Sequence, residues 1–473
     1  MTSMLRPSRR PPLLLLAAIG LAAGLLTAVL LSIPRVIEVQ PPSGASGAPA
    51  LPSISVTFSQ PMRPDTVEGR LRVEPARPGT FRWSGRQMTF VPSQPWPEGA
   101  QVDVSLEGGA LSLRGLPTFG ATQWSFTVGA GRLAYLWPAN ASSGLYAWSS
   151  ESAEPQALVE MSEAVIDFNL TQDGSSLVYA VSTDAGTEIR ELPLAGGADR
   201  LLHACPAGSL CRSPSLSPGE DLLVFLQEDP QPDGTTMRRV WVKPVAAGEA
   251  YLVAPEDHAT SQPLWSTQGW LVVYDHALRG FALYDQVQAD RARLAFAVPN
   301  ELGETPAWSP DGANLVFAEI YFLPEESVLD GEAVAFEEAP PKYTSHLKLL
   351  SIADGRQVDL SGDETFLVED SGPAYSPDGG WIAFSRRSLD PFQWTLGRQL
   401  WIMRADGREA TALTSQPALN HAGLAWNPDG TRLAYMLFDQ SSASEPAEIW
   451  WMWADGTGEQ RIVVAGYGPE WIP

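Results

Sequence analysis

Cysteine occurs only at positions 205 and 211, and His203 stands two residues before the first of them. Outside the cytoplasm such a pair can close a short disulfide loop. Two free thiols, or a metal centre that includes His203, are the other chemistries these residues allow. A structural zinc site takes four ligands, and no second Cys/His cluster follows. A Cys205–Cys211 disulfide is therefore the expectation, with no metal and no cofactor. The five histidines, at 203, 258, 276, 346 and 421, are scattered, and are expected to be solvated or capping. With 55 Asp and Glu, a carboxylate pair for acid–base work is available anywhere and specified nowhere. No Walker motif, His-Glu-x-x-His or dinucleotide fingerprint occurs, so no catalytic residue is assigned.

The elements that must position such groups follow from composition. The 473 residues carry a net charge of −24, which excludes a nucleic-acid binder because a phosphate backbone would be repelled. The 41 Gly and 41 Pro break the chain too often for long helical bundles. Hydrophobic content of 44% with 17 Trp excludes a disordered chain. The start is different. Arg6, Arg9 and Arg10 precede an uncharged Leu/Ala-rich run over 13–33, long enough to span the hydrocarbon core. The arginines place the N-terminus in the cytoplasm and everything after Pro34 outside. The expectation is an uncleaved signal anchor over 1–34 in a bacterial cytoplasmic membrane, with secretion after signal cleavage as the alternative.

Residues 40–53, rich in Pro, Gly, Ser and Ala, read as a linker or loop. Short alternating stretches follow at 54–58, 69–73, 80–83, 88–91, 101–106 and 124–128. Val102, Val104 and Leu106 against Asp103 and Ser105 give the period of two of a half-buried antiparallel strand. Short strands with Pro/Gly turns over 35–129 fit a β-sandwich. The motifs Val56-Thr57-Phe58-Ser59-Gln60-Pro61-Met62, Phe81-Arg82-Trp83-Ser84-Gly85 and Trp124-Ser125-Phe126-Thr127-Val128 resemble the bacterial Ig-like domains of surface proteins. That resemblance implies a spacer or adhesive unit.

Beyond residue 131 the chain repeats itself. Ala307-Trp308-Ser309-Pro310-Asp311-Gly312 recurs as Ala374-Tyr375-Ser376-Pro377-Asp378-Gly379 and as Ala425-Trp426-Asn427-Pro428-Asp429-Gly430. Weaker copies centre on Asn169-Leu170-Thr171-Gln172-Asp173-Gly174, Ser215-Leu216-Ser217-Pro218-Gly219 and Leu264-Trp265-Ser266-Thr267-Gln268-Gly269. An apolar strand follows each copy, and the Asp-Gly pairs read as two-residue hairpin turns. Spacings of 43 to 67 residues between the repeat glycines suit four-stranded blades.

These motifs resemble the TolB-type, WD-repeat-like β-propellers. An all-β chain is expected, with a propeller over 131–473 of seven blades (six or eight being the neighbouring counts). The tail Gly468-Pro469-Glu470-Trp471-Ile472-Pro473 resembles the opening strand of a repeat, and is expected to pair beside 133–137 and close the ring.

Similar propellers sometimes precede an α/β-hydrolase peptidase domain. No Gly-x-Ser-x-Gly elbow occurs here, and the propeller takes up the chain to Pro473. One insertion interrupts the repeat, from 321 to 345, carrying Glu325, Glu326, Asp330, Glu332, Glu337 and Glu338. Insertions of this kind map to one face of a propeller, often the binding face, so these six acids are the candidate binding loop. The expected function is a membrane-anchored, non-catalytic binding or scaffold module for a protein or a cell-envelope glycan. The alternative is an enzyme acting on glycans at an axial propeller site.

Overall fold

The computed structural model describes residues 33–472 except 49–51, 140–141, 161, 163, 323–342, 363–364 and 443–444. Among these residues no helix is long and apolar enough to cross a membrane. The run expected to be an anchor lies, apart from Ile33, outside them. By its internal contacts the chain divides into two compact units. The first holds most of the described residues up to Val128, and the second runs over the described residues from Gly129 onward with residues 94–98 added.

The first unit is built from two four-stranded sheets. One orders Val36–Gln40, Ile54–Phe58, Gln87–Pro92 and Gly79–Ser84; the other orders Ala45–Ala48, Thr122–Val128, Gln101–Leu106 and Leu71–Glu74. Val102, Val104 and Leu106 are buried while Asp103 is exposed, as a period of two requires. They join Ile54, Val56, Phe58, Met88, Trp124 and Phe126 among the buried apolar side chains. One expectation fails. Within the stretch read as a linker, Ala45–Ala48 is a strand, parallel to Thr122–Val128 and adjoining Gly44, whose N–H donates to the Ser125 carbonyl at 2.7 Å. An edge strand needs only backbone partners, so Ala, Ser and Gly suffice there.

In the second unit, five sheets have four strands and one has eight. The large sheet is joined across its middle by one parallel bridge, Ser345 to Glu369. Divided there, the described strands form seven groups of four, taken in chain order except for one strand. That strand is Tyr467–Ile472, which pairs antiparallel with Arg132–Trp137 and so leads the first group. Each group packs on the next through a buried cluster. Leu177, Tyr179 and Phe168 meet Leu136 and Leu145; Leu223 and Phe225 meet Val178 and Ile189; Leu315 and Phe317 meet Val272 and Phe281. The series returns to its origin where Leu133, Tyr135, Trp148 and Trp471 pack on Ala434, Ile449 and Trp451.

The repeated motif has one structural task. In Ser376-Pro377-Asp378-Gly379, the Ser376 Oγ–H donates to Asp378 Oδ1 at 2.6 Å, and the Gly380 N–H donates to the same oxygen at 2.9 Å. Ser376 Oγ in turn accepts the Trp381 N–H at 2.9 Å. Ser309 and Asp311 make the same set with Ala313 and Asn314. The connection is longer than the two-residue turn expected: Pro fits the first corner, and Gly379 takes φ 71° two residues later. In the degenerate copy at 217 the positive φ, 58°, falls on Glu220 rather than on Gly219.

Candidate functional site: the face opposite the repeated turns

Apart from Tyr467–Ile472, each leading strand ends at a Ser-Pro-Asp-Gly type turn, so these turns lie at one end of the blades. The leading strands begin at the opposite end, where the insertion and the longer connections also emerge. The six insertion acids Glu325, Glu326, Asp330, Glu332, Glu337 and Glu338 lie outside the described residues. The insertion is shorter than expected. Tyr321 and Phe322 pair with Thr344 and Tyr343 in a continuous antiparallel ladder, so both flanks of 321–345 belong to strands.

Four residues before the Ser or Asn that opens four of the six turns, the leading strand carries a recurrent feature. Ser213, Gln262, Gly372 and Gly423 occupy this position with φ between 48° and 60°, each inside a register shift of the ladder. Gly468 of the closing strand does the same at φ 61°. A bulge bends a strand and re-aims its side chains. Residues at this position in neighbouring blades touch. The Thr305 Oγ–H donates to Gln262 Oε1 at 2.6 Å, and the Ser213 N–H and Oγ–H donate to Asp167 Oδ2 at 2.9 and 3.3 Å.

Two of the carboxyls on leading strands are coupled. Burial, reinforced by the charge of Asp167, pushes the Glu470 carboxyl up to about 8. Burial also raises Asp167, although the Ser213 and Phe168 donors and the Arg212 charge pull it back. Both side chains are half-buried rather than sealed, so this pair can hold a proton on Glu470 at neutral pH beside an ionised or hydrogen-bonded Asp167. Glu304 is likewise raised by burial, with Arg398 opposing and Glu369 adding to the shift.

Below the insertion-bearing end of the fifth and sixth blades lies a charged network. Arg386 grips the fully buried Asp370 through two bonds of 2.7 and 2.6 Å. Its guanidinium also lies 5.0 Å from the ring centres of Phe384 and Trp401, and 5.4 Å from that of Phe366. Glu369 accepts from Arg387 at 2.5 Å and from Arg398 at 3.1 Å. Buried His346 bridges Asp359 Oδ2 at 2.9 Å and the Phe366 carbonyl at 2.8 Å. The strand ends and connections at this end of the two blades carry exposed aromatic side chains. Phe392 is 91% exposed and Phe322 74%, and Tyr343, Phe366 and Trp394 are also exposed. Elsewhere in the second unit, Trp453 is the one other large aromatic so exposed among the described residues.

The histidines do not converge. His258 pairs with Asp275 at 2.7 Å, and His276 meets Ser261 Oγ at 3.2 Å. Of the histidines expected to be solvated or capping, His346 and His421 are not solvated: both are fully buried, and each ring donates to a backbone carbonyl, that of Phe366 or of Arg398. Burial first, then the charge of Lys243, holds the His203 imidazole down at about 4. Cys205 and Cys211 are bonded to each other, with Cα atoms 6.4 Å apart.

Nothing in composition or spacing singled out Asp167, Glu470, Arg386 or Asp370. The position four residues before the turn was the available signal for Asp167. No signal joins Asp370 to Arg386, because their proximity is a matter of ladder register.

A model of the bacterial Ig-like domain matches residues 32–128. No curated protein matches the chain. Among solved structures, TolB from Acinetobacter baumannii aligns at 12% identity and TM-score 0.43, covering 85% of this chain and 83% of that one. The β-propeller domain of the Trilobed protease from Pyrococcus furiosus aligns at 10% identity and TM-score 0.44, covering 78% and 96%. Oligogalacturonate lyase from Vibrio parahaemolyticus aligns at 16% identity and TM-score 0.39, covering 63% and 73%. At these scores the alignments decide nothing about ligand or reaction. The matched module and the succession of sheets make the chain a bacterial Ig-like domain followed by a β-propeller.

Proposed function

We propose that this is a single-pass protein of the bacterial cytoplasmic membrane, anchored through 13–33, whose Ig-like domain and seven-bladed propeller stand outside the cytoplasm. The propeller acts as a non-catalytic binding module for a protein or a cell-envelope glycan. The observation that carries this is that Phe322, Tyr343, Phe366, Phe392 and Trp394, all exposed, stand at strand ends or in connections at one end of two neighbouring blades. Exposed aromatic surface is costly to keep in water and is typical of recognition sites. The charged groups of the same two blades are paired with one another, so they stiffen the platform. The test uses the full chain in detergent with solubilised peptidoglycan fragments as probe. Expected is saturable binding with the fragments recovered intact by mass spectrometry, weakened about tenfold or more by Phe392→Ala with Trp394→Ala. Binding unchanged in that double variant overturns the assignment of the face.

A second function rests on the coupled carboxyls Asp167 and Glu470. A carboxyl protonated at neutral pH beside a second carboxyl is the pairing used for general acid chemistry on glycosidic bonds. Turnover of the same fragments, abolished by Glu470→Gln and retained in the aromatic double variant, establishes this enzyme in place of the binding module.

A further inference from the structure

The strand Arg200–Ala204 closes one blade and Leu210–Leu216 opens the next, with residues 205–209 between them turning through Gly208 at φ 88°. This connection brings a ring nitrogen of His203 and the sulfurs of Cys205 and Cys211 within 4.8 Å of one another. Cys211 is fully buried and Cys205 nearly so, among Val178, Ile189, Leu202 and Phe225. The imidazole is held by Phe225, whose ring centre lies 4.6 Å away, and by backbone pairing of His203 with Ile189. Its Nε2 is buried and has no hydrogen-bond partner among the described residues. An imidazole with a buried, unpartnered nitrogen beside two sulfurs makes up three of the four positions of a tetrahedral coordination sphere.

We propose that reduction of the Cys205–Cys211 disulfide converts this blade junction into a site for one thiophilic d10 cation such as Zn2+, bound by His203, Cys205 and Cys211. The chemistry balances. A dithiol reductant supplies two electrons and two protons, becoming a disulfide while Cys205 and Cys211 become thiols. Zn2+ then displaces the two thiol protons to solvent and takes two thiolates and the neutral imidazole as ligands. A tetrahedral ion with Zn–S and Zn–N bonds of about 2.3 and 2.0 Å holds its ligand atoms about 3.3–3.8 Å apart, inside the 4.8 Å span seen here. The sulfurs need only swing apart on side-chain bonds, and the 6.4 Å between Cα atoms leaves room for that.

Three protein ligands leave the fourth position to water. Two thiolates with an imidazole select zinc-like cations over magnesium or calcium. Lys243, whose ammonium donates to the Leu202 carbonyl at 3.0 Å, opposes any cation nearby. Two thiolate charges are therefore needed for net attraction, and the oxidised form binds none.

The full chain, oxidised or reduced with a phosphine that is then removed under argon, is titrated with Zn2+ against a chromophoric chelator, and with Co2+ for thiolate-to-metal absorption. Expected are one equivalent of tightly held Zn2+ and the cobalt absorption in the reduced protein alone. His203→Gln should weaken the site about tenfold or more, and Cys205→Ser with Cys211→Ser should abolish it. Equal uptake by oxidised and reduced protein overturns the proposal, as does His203→Gln binding as tightly as the unmodified chain. Near-ultraviolet circular dichroism follows packing in each form; its loss on reduction without recovery on adding Zn2+ overturns the proposal too.

Discussion

Asp370, Glu470 and His346 are three buried or half-buried titratable residues that pull stability in different directions. Asp370 is fully enclosed and answers Arg386, itself almost wholly buried. Asp370→Asn leaves that guanidinium without its counter-charge, which costs about 3–5 kcal/mol when one member of a buried pair is removed. Urea unfolding of the variant and the parent measures it. His346 behaves oppositely to a simple buried histidine. Burial lowers its pKa, but the Asp359 carboxylate and the Phe366 carbonyl outweigh that and raise it above the ordinary 6.5. Its contribution is therefore fully present below about pH 6.5 and is lost as the pH rises through the folded value. Melting temperature against pH should fall over that interval, and His346→Gln should flatten the fall.

Glu470 has the reverse sign of an ordinary carboxylate. Its folded value of about 8 lies above the ordinary 4.5, so ionisation works against the fold increasingly between those values and fully above them. Glu470→Gln should raise the melting temperature at pH 9 more than at pH 5. An equal effect at both would remove the electrostatic explanation for this carboxyl.

Among the elements, the closing strand carries the largest consequence. Tyr467–Ile472 supplies the leading strand of the first group and places Trp471 against Leu133, Trp148 and Trp451. Trp471→Ala should cost about 3–5 kcal/mol, the usual loss for a large buried aromatic. Deleting 467–473 should lower the melting temperature further, because the ladder beside Arg132–Trp137 is lost as well. This strand was legible in the sequence because the tail repeats the approach that the other leading strands make to their turns. The turns were legible for the same reason, although their length was misjudged: the Ser Oγ and Asp Oδ1 bonds that brace Pro377 and Asp378 are side-chain geometry. The bulges were not. Ser213 and Gln262 hold positive φ at positions where nothing in their residue type demands it.

For the whole molecule, repetition made the architecture readable and the site obscure. Seven similar groups must share the apolar pattern that packs each on the next, so that pattern shows through weak copies. A binding face is where copies differ, and Phe366, Phe392 and Trp394 lie in connections outside the repeat. With 55 acids in the chain, Asp167 and Glu470 could be separated from the rest only by knowing which strands meet. The most direct measurement of the central claim compares the two faces of the propeller in living cells. A photoreactive side chain is placed at position 392, on the aromatic face, or at position 378, in a repeated turn. Discrete crosslinked species at 392 and none at 378 are the predicted result; the same species at both positions, or species at 378 alone, would contradict it.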